Sequence, residues 1–315
     1  MTFLPFVCLG IGIILGVFIK DKRFKNYSEK LSTIVLSLLM ITIGMNIGID
    51  TSVRENFAEI GLNCVVISLM AIGFSVLFIL LCEKTVLPLK ALSKELEEKN
   101  LSLQQEGAEE QSGDTTLIFL MPVSIIFGLL LGRILQEKIS SLMIDRGFTL
   151  FLILLYVCVG ISQGGEKGIF KFLKLLGAKI LLIPLCILVG SITGGIIAGK
   201  ILNLPVVVSV ISASGMGYYS ITGAFMTNSY GLGVGAYGFI VNILREMLTI
   251  LLMPFLIKIS LGSPIAGGGA GNMDTMLMPV TKFVGAPLGV VTLFTGTVLT
   301  IIVPFLLPLL ASILK

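Results

Sequence analysis

Arg245 and Glu246 stand at the midpoint of Val234–Ile257, an apolar run of membrane-spanning length, and Asp274 follows soon after. A charge at the bilayer centre costs about 2.5–3.5 kcal/mol even on the lenient insertion scale, so such groups are retained for binding or for proton transfer. Two glycine-broken polar segments flank the run: SASGMGYYSITG (Ser212–Gly223) and SPIAGGGAGNMDTM (Ser263–Met276). Non-helical backbone at bilayer depth survives only when buried in protein or lining a wet cavity. The pattern implies a route for something polar.

Asp274, with Asn272 and Thr275 beside it, either binds a cation or holds a proton; the alternative is a carboxylate capping backbone N–H groups. Glu246 shares a helix face with Asn242 and Thr249, giving a polar stripe. Arg245 points about 100° away from its neighbour, because helical residues advance by that angle. It is therefore free to neutralise a carboxylate on another helix, to join a structural ion-pair network, or to meet a substrate carboxylate. Glycines at 215 and 217, and at 267, 268, 269 and 271, permit helix breaks whose exposed N–H and C=O groups carry partial charge. Gly215, Gly217, Gly269 and Gly271 are the candidate backbone contacts. Ser214, Tyr218 and Ser220 supply hydroxyls around the first break, with Tyr219 and Thr222 nearby. Asn46 and Asp50 lie one turn apart in IGMNIGID at the end of a helix, where Asp50 is either a site carboxylate or an interfacial residue.

Much chemistry is excluded. The chain has no histidine, so a His relay is ruled out, and its five cysteines lie in or beside apolar runs without C-x-x-C spacing. They read as packing residues. No P-loop, dinucleotide fingerprint or metal-ligand spacing occurs. Paired aspartates invite an intramembrane aspartyl protease, but G-x-G-D is absent and Asp274 sits in G-N-M-D. No enzyme, metal, organic cofactor or nucleic-acid partner is expected.

A mean hydropathy of +1.04 with 13% charged residues places the chain among all-α polytopic membrane proteins. About eight spanning helices are expected, at Phe3–Ile19, Leu31–Ile49, Ile60–Leu81, Leu117–Leu135, Phe148–Ser162, Leu175–Ile196, Val234–Ile257 and Ala286–Leu314. The first lacks a basic leader and an A-x-A site, which reads as a retained helix rather than a signal peptide. Thirteen Lys and Arg residues fall in the odd loops and four in the even ones, placing the odd loops inside and both termini outside.

Residues 83–115 form a hydrophilic cytoplasmic linker. On either side of it the chain repeats. Of the seven glycines before the linker, those at 12, 16, 44, 48 and 61 each find another glycine 116 residues later, where chance predicts about 0.8 such matches for seven positions at a frequency of 36 glycines in 315 residues. Three helices per copy, an odd number, require the copies to be inverted, the usual build of secondary transporters. Residues 1–82 and 116–200 are then two three-helix repeats. Residues 201–315 form two further units, each a broken or re-entrant Gly-rich segment followed by a helix ending in a P-F-L turn.

ASGMGYYSITGAFMTNSYG, NILREMLTI and GNMDTMLMPVTKFVG, in that order, resemble the signature regions of the bacterial lysine exporter family (LysO). The resemblance covers most of the chain and is strongest over Leu204–Val284. It implies export of L-lysine across the bacterial inner membrane, with Asp50 and Asp274 as the required intramembrane carboxylates. The chemistry is compatible: lysine presents two ammonium groups and one carboxylate. Asp274, Glu246 and Asp50 suit the former; helix breaks and Arg245 suit the latter. Exchange for H+ or Na+ is expected, because export of a cation works against a negative interior. The rivals are a Na+-coupled carrier of a small organic anion or another amino acid, and a channel, which the uniformly apolar helices disfavour. Assembly as a homodimer is left open.

Overall fold

The computed structural model describes residues 4–18, 22–49, 57–98, 115–135, 141–164 and 177–314. Every regular element among them is helical: α1 (Leu4–Phe18), α2 (Lys22–Ile49), α3 (Phe57–Thr85), α4 (Leu89–Glu98), α5 (Thr115–Leu135) and α6 (Ser141–Gly164) come first. After a 3-10 turn at Ala178–Leu181 follow α7 (Leu182–Leu202), α8 (Val206–Ala213), α9 (Tyr219–Tyr230) and α10 (Leu232–Ile259). The chain closes with α11 (Gly262–Gly268), a 3-10 turn at Gly269–Met273, α12 (Leu277–Val284) and α13 (Ala286–Ile313). Among the described residues, four stretches are long and apolar enough to cross a membrane: Glu59–Thr85, Ala178–Leu202, Leu232–Ile259 and Ala286–Ile313.

Helix ends depart from the sequence expectation in two ways. The basic segment before Leu31 is not a loop from Lys22 onward but the first turns of α2, since KRFKNYSEK contains no helix breaker. The P-F-L turns do not form either: α10 continues through Pro254 to Ile259, and α13 through Pro304 and Pro308 to Ile313. Proline removes one hydrogen bond from a helix, and packed apolar helices tolerate that loss where neighbours compensate.

The chain divides into two compact units. One comprises Met1–Ile60, Thr116–Lys167 and Gly223–Ala236; the other comprises Gly61–Thr115, Gly168–Thr222 and Tyr237–Lys315. In the first unit, α6 packs against both α1 and α2. Glycine sets how closely the helices approach. A Cβ on Gly12 would run into Val157 O and one on Gly16 into Ile161 O; likewise Gly128 meets Ile41 O and Gly132 meets Met45 O. Each of these contacts maps onto another when both partners shift by 116 residues: 12 with 157 becomes 128 with 41, and 16 with 161 becomes 132 with 45. Small residues permit such backbone contact between apolar helices, which gain packing and little else from association in lipid.

In the second unit α3 and α7 cross by the same device. A Cβ on Gly190 would meet Ser75 backbone atoms, and one on Gly194 would meet Met70 and Ala71. At the crossing, Ser75 Oγ lies 3.2 Å from Ser191 Oγ. These serines are also 116 residues apart. Helix α13 is sheathed by the 3-10 turn at Gly269–Met273 and by α12, with most of one face buried.

Candidate functional site

Helices α8 and α9 are interrupted over Ser214–Tyr218, and α11 and α12 over Gly269–Met276; both interruptions lie within the second unit. The two meet directly: Ala270 N–H donates to Met216 O at 2.8 Å. Met216 is in a left-handed conformation (φ 52°) and Gly217 follows at φ 98°. Gly269, at φ 56° and ψ −128°, occupies backbone space open only to glycine, and a Cβ there would strike Met216 O. The crossing thus depends on Gly269 for both conformation and clearance.

Helix α10 supplies the side chains that hold the breaks. Asn242 Oδ1 accepts from Gly217 N–H at 2.8 Å, while its Nδ2 donates to Ser212 O at 2.9 Å and Gly238 O at 2.7 Å. One amide therefore satisfies three backbone groups, two of them freed by the first break. Gly215 is pressed against Thr222 and Asn242, leaving no room for a side chain.

Arg245, only 1% exposed, lies on the face of α10 that meets the second break. Its Nε donates to Gly267 O at 3.1 Å and Nη2 to Ala266 O at 3.0 Å. Nη1 donates to Ser191 Oγ at 2.8 Å, and Nη2 reaches Ser75 Oγ at 3.4 Å. The guanidinium thus spends these bonds on two carbonyls and two hydroxyls, none of them a carboxylate. The carbonyls terminate α11, where a helix end carries partial negative charge.

Glu246 is 3% exposed. Its Oε1 accepts from Thr275 Oγ1 at 3.0 Å and stands beside Gly271, where a Cβ would come within 2.6 Å. Asp274, by contrast, is exposed. Its Oδ1 accepts from Thr275 N–H at 2.6 Å and lies 3.3 Å from Thr275 Oγ1. One hydroxyl proton thus stands between a buried carboxylate and an open one. It cannot serve both fully, since a hydroxyl has a single donor. Among the described residues, one buried oxygen at each break is left without a partner, Ser214 Oγ at the first and Asn272 Oδ1 at the second, as is Thr249 Oγ1 on α10. Asn272 uses only its Nδ2, donating to Ile265 O at 2.8 Å. Buried polar groups nearly always find partners, so orphan acceptors at a helix break mark places for water, ion or substrate.

Of the residues singled out in the sequence, Glu246, Asp274, Asn272, Thr275, Asn242, Arg245 and the four glycines come together at this crossing. Ser214 lies within the first break, Tyr218 at its end and half-buried, and Ser220 buried on the first turn of α9. Asn46 lies in α2 with its side chain outside the described residues, and Asp50 lies outside them altogether. Ser75 and Ser191 escaped the sequence reading, although the 116-residue offset seen in the glycines links them too.

These features define a multi-pass helical membrane protein whose polar residues gather at two interrupted helices. The family model described as "Lysine exporter LysO" matches residues 6–92 and 123–311, and the chain belongs to that family. It is 31% identical over 156 residues to the lysine exporter LysO of Escherichia coli (strain K12), covering 50% of this chain and 52% of that one. The match thus spans about half the length of that relative. A protein of Haemophilus influenzae (strain ATCC 51907 / DSM 11121 / KW20 / Rd), provisionally named a lysine exporter, is 28% identical over 190 residues, or 60% of this chain and 95% of its own length. No solved structure matches the chain.

Proposed function

We propose that this protein exports L-lysine from the cytoplasm across the bacterial inner membrane as a secondary active transporter, exchanging it for H+ or Na+. The observation that carries the reading is the pair of carboxylates, Glu246 buried and Asp274 open, joined through Thr275 Oγ1 where two broken helices cross. Family membership and the names of its relatives point to the same substrate. Asp274 offers an accessible negative charge to an ammonium group, and Glu246 supplies a second carboxylate beneath it. Broken-helix backbone serves the α-carboxylate, as half-helix ends do elsewhere in transporters.

Outward movement of a cation costs about 2.3 kcal/mol per charge at 100 mV. In this scheme a carboxylate of the pair is either protonated or bound to lysine, never both, which makes export an exchange. Asp50 is a further carboxylate of the route. About eight spans, six of them in two inverted three-helix repeats (1–82 and 116–200) joined by the linker at 83–115 and the rest in the site region at 201–315, complete the reading, with both termini outside. The reciprocal glycine contacts of α1 with α6 and of α5 with α2, and the Ser75–Ser191 pair, favour the repeat.

Purified protein tested for binding lysine, arginine, ornithine and citrate decides the substrate class; tighter citrate than lysine binding rejects the reading. Reconstituted vesicles under imposed pH and sodium gradients then identify the ion. Export indifferent to both gradients removes the coupling scheme.

A further inference from the structure

We infer that Arg245 is a positioning residue that ties the crossing of α3 and α7 to the second helix break, and not a ligand of the substrate carboxylate. Its guanidinium has five N–H donors. Nε is bound to Gly267 O, Nη1 to Ser191 Oγ, and Nη2 to both Ala266 O and Ser75 Oγ. At 1% exposure, little of the side chain remains for an incoming molecule. The planar fork suits this task, because it fixes direction as well as distance.

Its partners explain what is being positioned. Ser75 and Ser191 occupy equivalent places, 116 residues apart, and touch each other across a backbone crossing closed by Gly190 and Gly194. Ala266 and Gly267 end α11, and the chain then turns through Gly269 into Asn272, Asp274 and Thr275. Arg245 thus joins the α3–α7 crossing to the start of the segment carrying the carboxylate. Glu246, its neighbour on α10, is held to that same segment by Thr275. If the arginine lets go, the break loses its anchor and the distance between the two carboxylates is no longer fixed. Ser75 and Ser191 act through Arg245, at one further remove from the site.

The inference deepens the lysine-export reading, and its test separates the two. Binding of lysine and of lysinamide, which lacks the α-carboxylate, is measured on wild type, Arg245→Gln and the Ser75→Ala/Ser191→Ala double variant. Loss of a charged hydrogen-bond network is expected to weaken both ligands by about tenfold, and by the same factor. Selective loss of lysine, with lysinamide spared, overturns the inference and makes Arg245 a carboxylate ligand. Hydrogen exchange, read without any ligand, is the second measurement. Amides of Gly269–Thr275 are expected to exchange faster in the double variant, with those of α1 unchanged. Unchanged exchange at the break also overturns the inference. Should Arg245→Gln fail to fold, the serine variant carries both readouts. If wild type binds neither ligand, the export reading falls while the exchange data still decide the role of Arg245.

Discussion

The two helix breaks are built from similar residues and hold different things. At the first, Asn242 takes up the backbone groups of Ser212 and Gly217, and Gly215 is pressed against Thr222. No charged residue falls between Ser214 and Tyr218. The second break is anchored from outside by Arg245, carries exposed Asp274, and leaves Asn272 Oδ1 without a partner. Each break leaves one buried oxygen unused, Ser214 Oγ at the first and Asn272 Oδ1 at the second, and what distinguishes them is the charge that only the second carries.

That contrast can be broken experimentally, most forcefully at the carboxylates. Asp274→Asn and Glu246→Gln are each expected to reduce lysine export by about 100-fold, since each removes a charge that pairs with an ammonium group in the proposed scheme. Flux measured in reconstituted vesicles checks this, and near-normal flux in Asp274→Asn would erase the difference between the breaks. Gly269→Ala should follow, with a loss of about 2–3 kcal/mol in stability from the forbidden backbone conformation alone. Thermal melting in detergent reads it, and Met216 O offers no room for relief.

Asn242→Ala is expected to cost about 2 kcal/mol through three lost hydrogen bonds, again visible as a lowered Tm. Thr275→Val should raise the lysine KM by about tenfold, because the hydroxyl between the carboxylates goes while the volume stays. Smallest is Gly217→Ala. Its φ of 98° is also positive, but a Cβ there meets only ordinary contacts at 3.4 Å and beyond, so the cost is about 1 kcal/mol. A larger penalty at Gly217 than at Gly269 would reverse the comparison.

The helical membrane class, and the clustering of interest around Arg245, Glu246 and Asp274, were legible because apolar runs and intramembrane charges are written directly in residue order. The partner of Arg245 was not. Sequence spacing said only that it points away from Glu246, leaving ion pair, network and substrate contact equally open. Its hydroxyl partners are serines 54 and 170 residues away, which the fold alone brings within reach. Their shared 116-residue offset was available beforehand, yet serine is too common for one such match to stand out. The prolines misled in the opposite direction: Pro254 and Pro304 lie inside continuous helices.

Residue order by itself determined the solvent this chain prefers, the breaks in its helices and the charges placed among them, because hydropathy, glycine and charge act over short range. Only the tertiary structure decided that Glu246 is covered while Asp274 stays open, that Thr275 lies between them, and that Arg245 binds two serines and two carbonyls. Those outcomes depend on which distant backbones can approach closely enough to touch, a question of packing that no local pattern answers.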